Sequence, residues 1–199
     1  MTNSAKPVKT PNHRAVHKRA TAPHAVRLTV NGQLHELTVG PPPALVDRAH
    51  TLAHTLRETL GLTGTKVSCD HGACGSCTVL IDDRAVLSCM LLTVECDGQS
   101  VTTIEGLADP KTGALDPLQQ SFIDHTAFQC GYCTPGILMT TKALLKTNPT
   151  PTRANVQEAL SGNFCRCITH YHVLEAVNDA IGKDSTQPLG PKAGPGRAE

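Results

Sequence analysis

Tryptophan is missing from this 199-residue chain, and with two Tyr and three Phe the aromatic share is only 3%. A core must therefore be assembled mainly from Leu, Val, Ile and Ala. Domains of such modest size bury limited area, so something besides packing is expected to help hold them. Long apolar runs are also missing. No stretch approaches the roughly 20 residues of a membrane-spanning helix. The N-terminus has no apolar segment of the secretory type, and Lys18-Arg19 leads into none. These absences predict a cytoplasmic protein with no membrane partner. Acidic residues are absent from Met1 to His35, where Lys6, Lys9, Arg14, Lys18, Arg19 and Arg27 are basic. The net charge of the whole is nonetheless only +1, so no nucleic-acid partner is expected.

What the chain does hold is nine cysteines. A disulfide scaffold needs an oxidising compartment, whereas in the cytoplasm clustered thiols stay reduced and more often bind metal. The tails are set apart by composition: residues 1–24 read as a disordered basic tail and residues 183–199, with Pro188, Gly190, Pro191, Gly194, Pro195 and Gly196, as a flexible one.

Between the tails the first half has strand periodicity. Val26 to Val30 and Leu34 to Val39 flank Asn31-Gly32, the pair preferred by a type I′ hairpin. Pro41 to Pro43 stop the second strand. Ala44 to Leu60 then places Leu45, Ala49, Leu52, Ala53, Leu56 and Leu60 at helical spacing, and Gly61 ends the predicted helix. After a Gly-rich cysteine loop come Thr78 to Ile81 and Ala85 to Ser88, joined through Asp82-Asp83, and a last strand near Ser100 to Ile104. This order is that of a β-grasp domain, expected over 25–101. A linker over 102–110 leads to residues 111–182, where Pro117 to Ala127, Pro135 to Lys146, Thr152 to Leu160 and His172 to Ile181 read as a four-helix bundle. Pro117 and Pro135 fall near helix starts, where a missing N–H costs little. The fold class is thus α+β.

The first cysteine constellation is Cys69, Cys74, Cys77 and Cys89. A Cys-x4-Cys-x2-Cys run with a distant fourth Cys is the spacing of plant-type [2Fe-2S] ferredoxins. Gly72 and Gly75 allow the loop to take positive φ and aim amides at sulfur, which favours the more negative, reduced cluster. Zinc knuckles would present paired Cys-x2-Cys, which the x4 spacing fits poorly. Cys89 is preferred over Cys96 as fourth ligand because it ends a strand beside Thr78 to Ile81. Cys96 then reads as a small half-buried residue. The second constellation is Cys130, Cys133, Cys165 and Cys167, each pair beside a predicted helix start whose dipole favours thiolates. On spacing alone a zinc site or a redox Cys-x2-Cys pair remains open, although no βαβ context surrounds it.

The wording of the chain carries a resemblance. Leu60 to Asp82, Thr103-Ile104-Glu105-Gly106-Leu107, Gln129 to Gly136 and Gly162-Asn163-Phe164-Cys165-Arg166-Cys167 resemble, in order, segments of the small iron–sulfur subunit of the xanthine oxidase family of molybdenum hydroxylases. The resemblance implies two [2Fe-2S] clusters, one in each domain. It also implies a large partner subunit carrying molybdopterin and a medium one carrying FAD, in a heterotrimer or a dimer of heterotrimers. Electrons would pass from molybdenum through the helical-domain cluster to the β-grasp cluster and on toward FAD, with no bond chemistry and no catalytic residue on this chain. Gln129 and Cys167 would approach the pterin, against a plainer reading of Gln129 as a helix-capping residue. Competing readings are an independent two-cluster ferredoxin and a structural zinc adaptor.

This sequence departs from the family pattern at three places. Ser68 stands where the family usually has Gly, a possible O–H donor near sulfur. Ile168-Thr169-His170 replace a common Thr-Gly-Tyr, which bears on the backbone turn at the second cluster and on the pterin contact. The helix from Ala44 reads as lengthened around Val46 to Thr51. Among the histidines, His50 and His54 mark a polar helix edge. His71 lies inside the first loop, where Rieske-type ligation would need two His in place of two Cys.

Overall fold

A computed structural model describes residues 22–168 and 170–182. Most of the expected basic tail, all of the C-terminal tail and Thr169 lie outside the described residues. Five strands, β1 (His24–Val30), β2 (Gln33–Val39), β3 (Thr78–Ile81), β4 (Arg84–Leu87) and β5 (Ser100–Thr102), form one sheet in the order β2-β1-β5-β3-β4. Only the β1–β5 pairing is parallel. Both hairpins turn on residues with positive φ: Asn31 (51°) with Gly32 (80°), and Asp82 (47°) with Asp83 (67°). That is the requirement of a type I′ turn, and Asn, Asp and Gly meet it at least steric cost.

The predicted helix over Ala44 to Leu60 is corrected. Helix α1 spans only Leu52–His54 and runs into a wider π turn, Thr55–Thr59. Upstream, local bonds win over helical periodicity. Val46 bridges Val39, the Asp47 carboxylate accepts from Ala49 N at 2.8 Å, and His50 N donates to Asp47 O at 3.0 Å. Asp commonly offers the backbone such an alternative to a helix. Leu45, counted on the buried face, is 66% exposed. The stretch read as a helical insertion, Val46 to Thr51, is therefore a connector. Thr51 ends it by accepting from His54 N at 3.3 Å. Leu52 and Leu56 then pack under the sheet against Val26, Leu28, Val79 and Val101.

The second half carries α2 (Pro117–Asp124), α3 (Thr134–Thr147), α4 (Arg153–Ala159) and α5 (His170–Ala180). Asp116 caps α2 by accepting from Leu118 N at 3.0 Å, with Gln119 closing the capping box and Pro117 at the first helical position. Thr152 and Asn155 cap α4 in the same way. Such caps satisfy amides that have no partner within the helix. The common core holds Leu118, Phe122, Ile137, Val156, Leu160, Val173 and Val177. Ser121, buried on α2, donates to Ala176 O of α5 at 2.7 Å. No helix among the described residues is long and apolar enough to cross a membrane.

Thr103 to Gly106 is tied to the sheet by its ends and to the helical core by Ile104, which packs against that core and accepts at its carbonyl from Gln119 Nε2 at 3.4 Å. Asn31 Oδ1 accepts from Thr103 N at 2.8 Å, Asn31 Nδ2 donates to Thr103 Oγ1 at 2.9 Å, and Glu105 accepts from Gly64 N at 2.7 Å. Helix α3 lies against β3 and β4. Its Gly136 is so close to Gly75 and Ser76 that an added Cβ would overlap Gly75 O and sit 2.9 Å from Ser76 Cα.

Candidate metal centres

The loop from Ser68 to Cys77 is shaped by left-handed residues, Asp70 (φ 54°), Gly72 (φ 79°) and Gly75 (φ 73°). The turn at Asp70 and Gly72 brings Ala73 N to within 3.3 Å of Cys69 Sγ. Cys77 leads into β3, and Cys89 sits in the 3₁₀ turn Ser88–Met90 that follows β4 rather than at a strand's end. The pairing of Thr78 with Leu87 brings the two cysteines together. Ser88 reinforces this by donating its side chain to Cys77 O at 2.7 Å. Cys77 and Cys89 are buried beside Ala53, with Val67 and Leu87 packed on them. Cys96 is fully buried in the other core, with Val26, Leu28 and Val101.

Neighbouring sulfurs and burial shift the thiols in opposite directions. Cys69 is pulled down to about 6, first by the backbone at His71 and Ala73 and then by Cys74. Burial pushes Cys77 up to about 12, and Cys89 beside it adds to the rise. In the second set Cys167 and Cys130 Sγ are 3.6 Å apart. The backbone at Tyr132, then Cys167, lowers the Cys130 thiol, while Cys130 raises that of Cys167. Burial, then Cys165, pushes Cys133 up to about 12. Although Cys133 caps α3, the dipole expected to favour its thiolate is outweighed by burial and by neighbouring sulfur. Ile168 N donates to Cys165 Sγ at 3.3 Å, so a backbone amide reaches sulfur in each set. Among the described residues no three His, Cys, Asp or Glu side chains converge on a point fit for one metal ion.

The two sets share a wall. A cavity of about 300 Å³ has Ser68, Cys74 and Ser76 on one side and all four cysteines of the second set on the other. Across it, Phe164 N donates to Cys74 O at 3.0 Å, Asn163 Nδ2 to Gly75 O at 3.3 Å and Tyr132 Oη to Val67 O at 2.6 Å. Gln129 is exposed beside Cys130 and makes no side-chain hydrogen bond among the described residues, and the cap position of α3 is Cys133.

Residues 29–114 match the family described as the 2Fe-2S iron-sulfur cluster binding domain, and residues 103–178 the one described as the [2Fe-2S] binding domain. The chain is 51% identical over 138 residues to the nicotine 6-hydroxylase small subunit of Paenarthrobacter nicotinovorans, an overlap of 69% of this chain and 82% of that one. With a probable xanthine dehydrogenase subunit of Bacillus subtilis it is 45% identical over 151 residues, 76% of this chain and 82% of the relative. The chain belongs to the small iron–sulfur subunits of the xanthine oxidase family. A solved structure, quinoline 2-oxidoreductase from Pseudomonas putida 86, superposes with a TM-score of 0.73 at 39% identity, covering 84% of this chain and 99% of that one.

As a member of that family the chain carries two [2Fe-2S]-binding domains and is the electron-transfer subunit of a molybdenum-containing oxidoreductase of several subunits. The family motifs are what single out the two cysteine sets. Reading the residues one by one missed what joins them: Ser76, Tyr132, Gly136 and Asn163. Gly162-Asn163-Phe164 is visible as a motif, but nothing in its spacing says that it reaches the first loop. Ser68, the hydroxyl expected near sulfur, is exposed and makes no hydrogen bond among the described residues.

Proposed function

We propose that Cys69, Cys74, Cys77 and Cys89 would hold a first [2Fe-2S] cluster, and Cys130, Cys133, Cys165 and Cys167 a second. The carrying observation is the closeness of thiols within each set: Cys130 and Cys167 Sγ lie 3.6 Å apart, and Cys77 and Cys89 are buried side by side. A bridged pair of irons takes two thiolates at each metal, whereas one tetrahedral zinc would draw four to a single point. Thiolates this close repel one another, and cationic iron relieves that repulsion. When bound, the clusters supply one-electron carriers that relay electrons from the molybdenum centre of a large subunit toward FAD in a medium one. The protein's part is to bury Cys77 and Cys89, to aim the Ala73 and Ile168 amides at sulfur, and to hold the two sets across one wall.

The second set opens outward at Gln129, Cys130 and Cys167, which are exposed. This supports the reading in which Gln129 and Cys167 meet the pterin. The assembly that goes with it is a cytoplasmic heterotrimer or a dimer of heterotrimers. The chain divides into a β-grasp domain over 25–101, a link over 102–110 and a four-helix bundle over 111–182.

Iron and sulfide analysis with EPR of the dithionite-reduced chain tests the ligand sets. Two distinct [2Fe-2S] signals are expected, and stoichiometric zinc in their place would defeat the proposal. Co-purification tests the assembly, with a large molybdopterin chain and a flavin chain expected to accompany this one. A chain that always purifies alone would be a free carrier.

A further inference from the structure

Ser76 is a hydroxyl with few choices. It is 4% exposed, and its one hydrogen bond among the described residues is with Cys74 Sγ at 3.6 Å. Burying a hydroxyl is costly unless it is bonded. The other hydroxyls of the loop are committed elsewhere: Thr78 Oγ1 donates to Gly75 O at 2.7 Å, and Ser88 Oγ to Cys77 O at 2.7 Å. Ser68 is exposed. As a thiol, Cys74 can donate to Ser76 Oγ. As an iron-bound thiolate it has no proton, so the hydrogen on that contact must come from Ser76.

We propose that the Ser76 hydroxyl is a positioning donor that sets the potential of the first cluster through Cys74. The inference rests on the ligand assignment above. The first cluster gains one electron from the second on reduction, and no proton need move: Ser76 keeps its hydrogen in both states. The negative charge on sulfur grows as the electron arrives, so the O–H···S bond strengthens and the reduced form is favoured. The bond is held in place from the other domain. Asn163 and Phe164 fix the carbonyls of Gly75 and Cys74, and Gly136 lies against Ser76. Ser76 also lines the cavity facing the second set, and the thiolate at Cys74 turns its hydrogen to the first. The first cluster thereby becomes a better electron acceptor than it would be without this bond.

The test is an EPR-monitored potentiometric titration of the full chain in its purified assembly, unsubstituted and as Ser76→Ala and Ser76→Cys. Ala removes the donor, and Cys leaves a weak S–H in nearly the same volume. The Ala variant is expected to lower the midpoint of the first cluster, whose signal is the one lost in Cys89→Ser, by up to tenfold in its one-electron equilibrium, about 59 mV, and to leave the other unmoved. A shift in the other cluster alone would overturn the proposal. The Cys variant should fall between. Unmoved midpoints, or equal shifts in both clusters, would overturn the role of Ser76 alone. Failure of the unsubstituted chain to give two [2Fe-2S] signals would overturn the ligand assignment and this inference with it. Should the Ala variant not assemble, the Cys variant carries the same comparison.

Discussion

The amide of Phe164 donates to the carbonyl of Cys74 across 3.0 Å, which joins the residue before one proposed ligand to another ligand in the other half of the chain. The sets are thus one hydrogen bond apart, and anything that parts the halves acts on both.

Gly136→Ala tests the fit at this seam. In an exposed helix Ala would be favoured over Gly by about 1 kcal/mol. Here the new methyl would overlap Gly75 O and press on Ser76. The expected sign is reversed, to a loss of about 1–3 kcal/mol, read as a lower urea midpoint of the whole chain.

Cys89 and Cys96 are separated by substitution. Cys89→Ser should remove one EPR signal and about half of the iron, because Cys89 lies with Cys77. Cys96→Ala should keep all the iron and cost about 1–2 kcal/mol for the small cavity it leaves. Loss of iron in the Cys96 variant would reverse the assignment.

The same thiol gives an alkaline signature. Burial, and then Glu95, push Cys96 up to about 11. Its folded pKa lies above the unfolded value of about 8.5. The stability that this group contributes is therefore complete below that value and is lost as pH rises through about 11. Urea midpoints measured upward from neutral pH should decline across this window, and less steeply in Cys96→Ala.

Tyr132→Phe removes only the hydroxyl that donates to Val67 O at 2.6 Å. A loss of about 0.5–1.5 kcal/mol is expected, with unchanged denaturant slope and both EPR signals retained. If one signal broadened, the bond would also be holding the second loop in shape.

Local chemistry was legible in the sequence and contact between the halves was not. Asn31-Gly32 and Asp82-Asp83 announce their hairpins because few residue pairs take positive φ twice in succession. Pro117 and Pro135 announce helix starts, where a missing N–H costs little. The helix over Ala44 to Leu60 misled because Leu45 falls on the apolar stripe by spacing alone, while Asp47 supplies backbone bonds that the stripe does not register. The first proposed cysteine quartet stands on its spacing, whereas the second depends on the family resemblance. Gly136 and Asn163 could not be singled out, since a close approach between small residues and a single amide bond leave no periodic trace.

The shared wall also bears on how far this chain can be divided. A fragment holding only the helices would expose Gly136 and leave the Phe164 amide and the Asn163 side chain without their acceptors, and the second quartet would lose one side of its cavity. A fragment holding only the sheet would leave the Cys74 and Gly75 carbonyls facing water. The two carriers are therefore not interchangeable modules. Engineering that swaps one half for another protein's must carry the seam along with it.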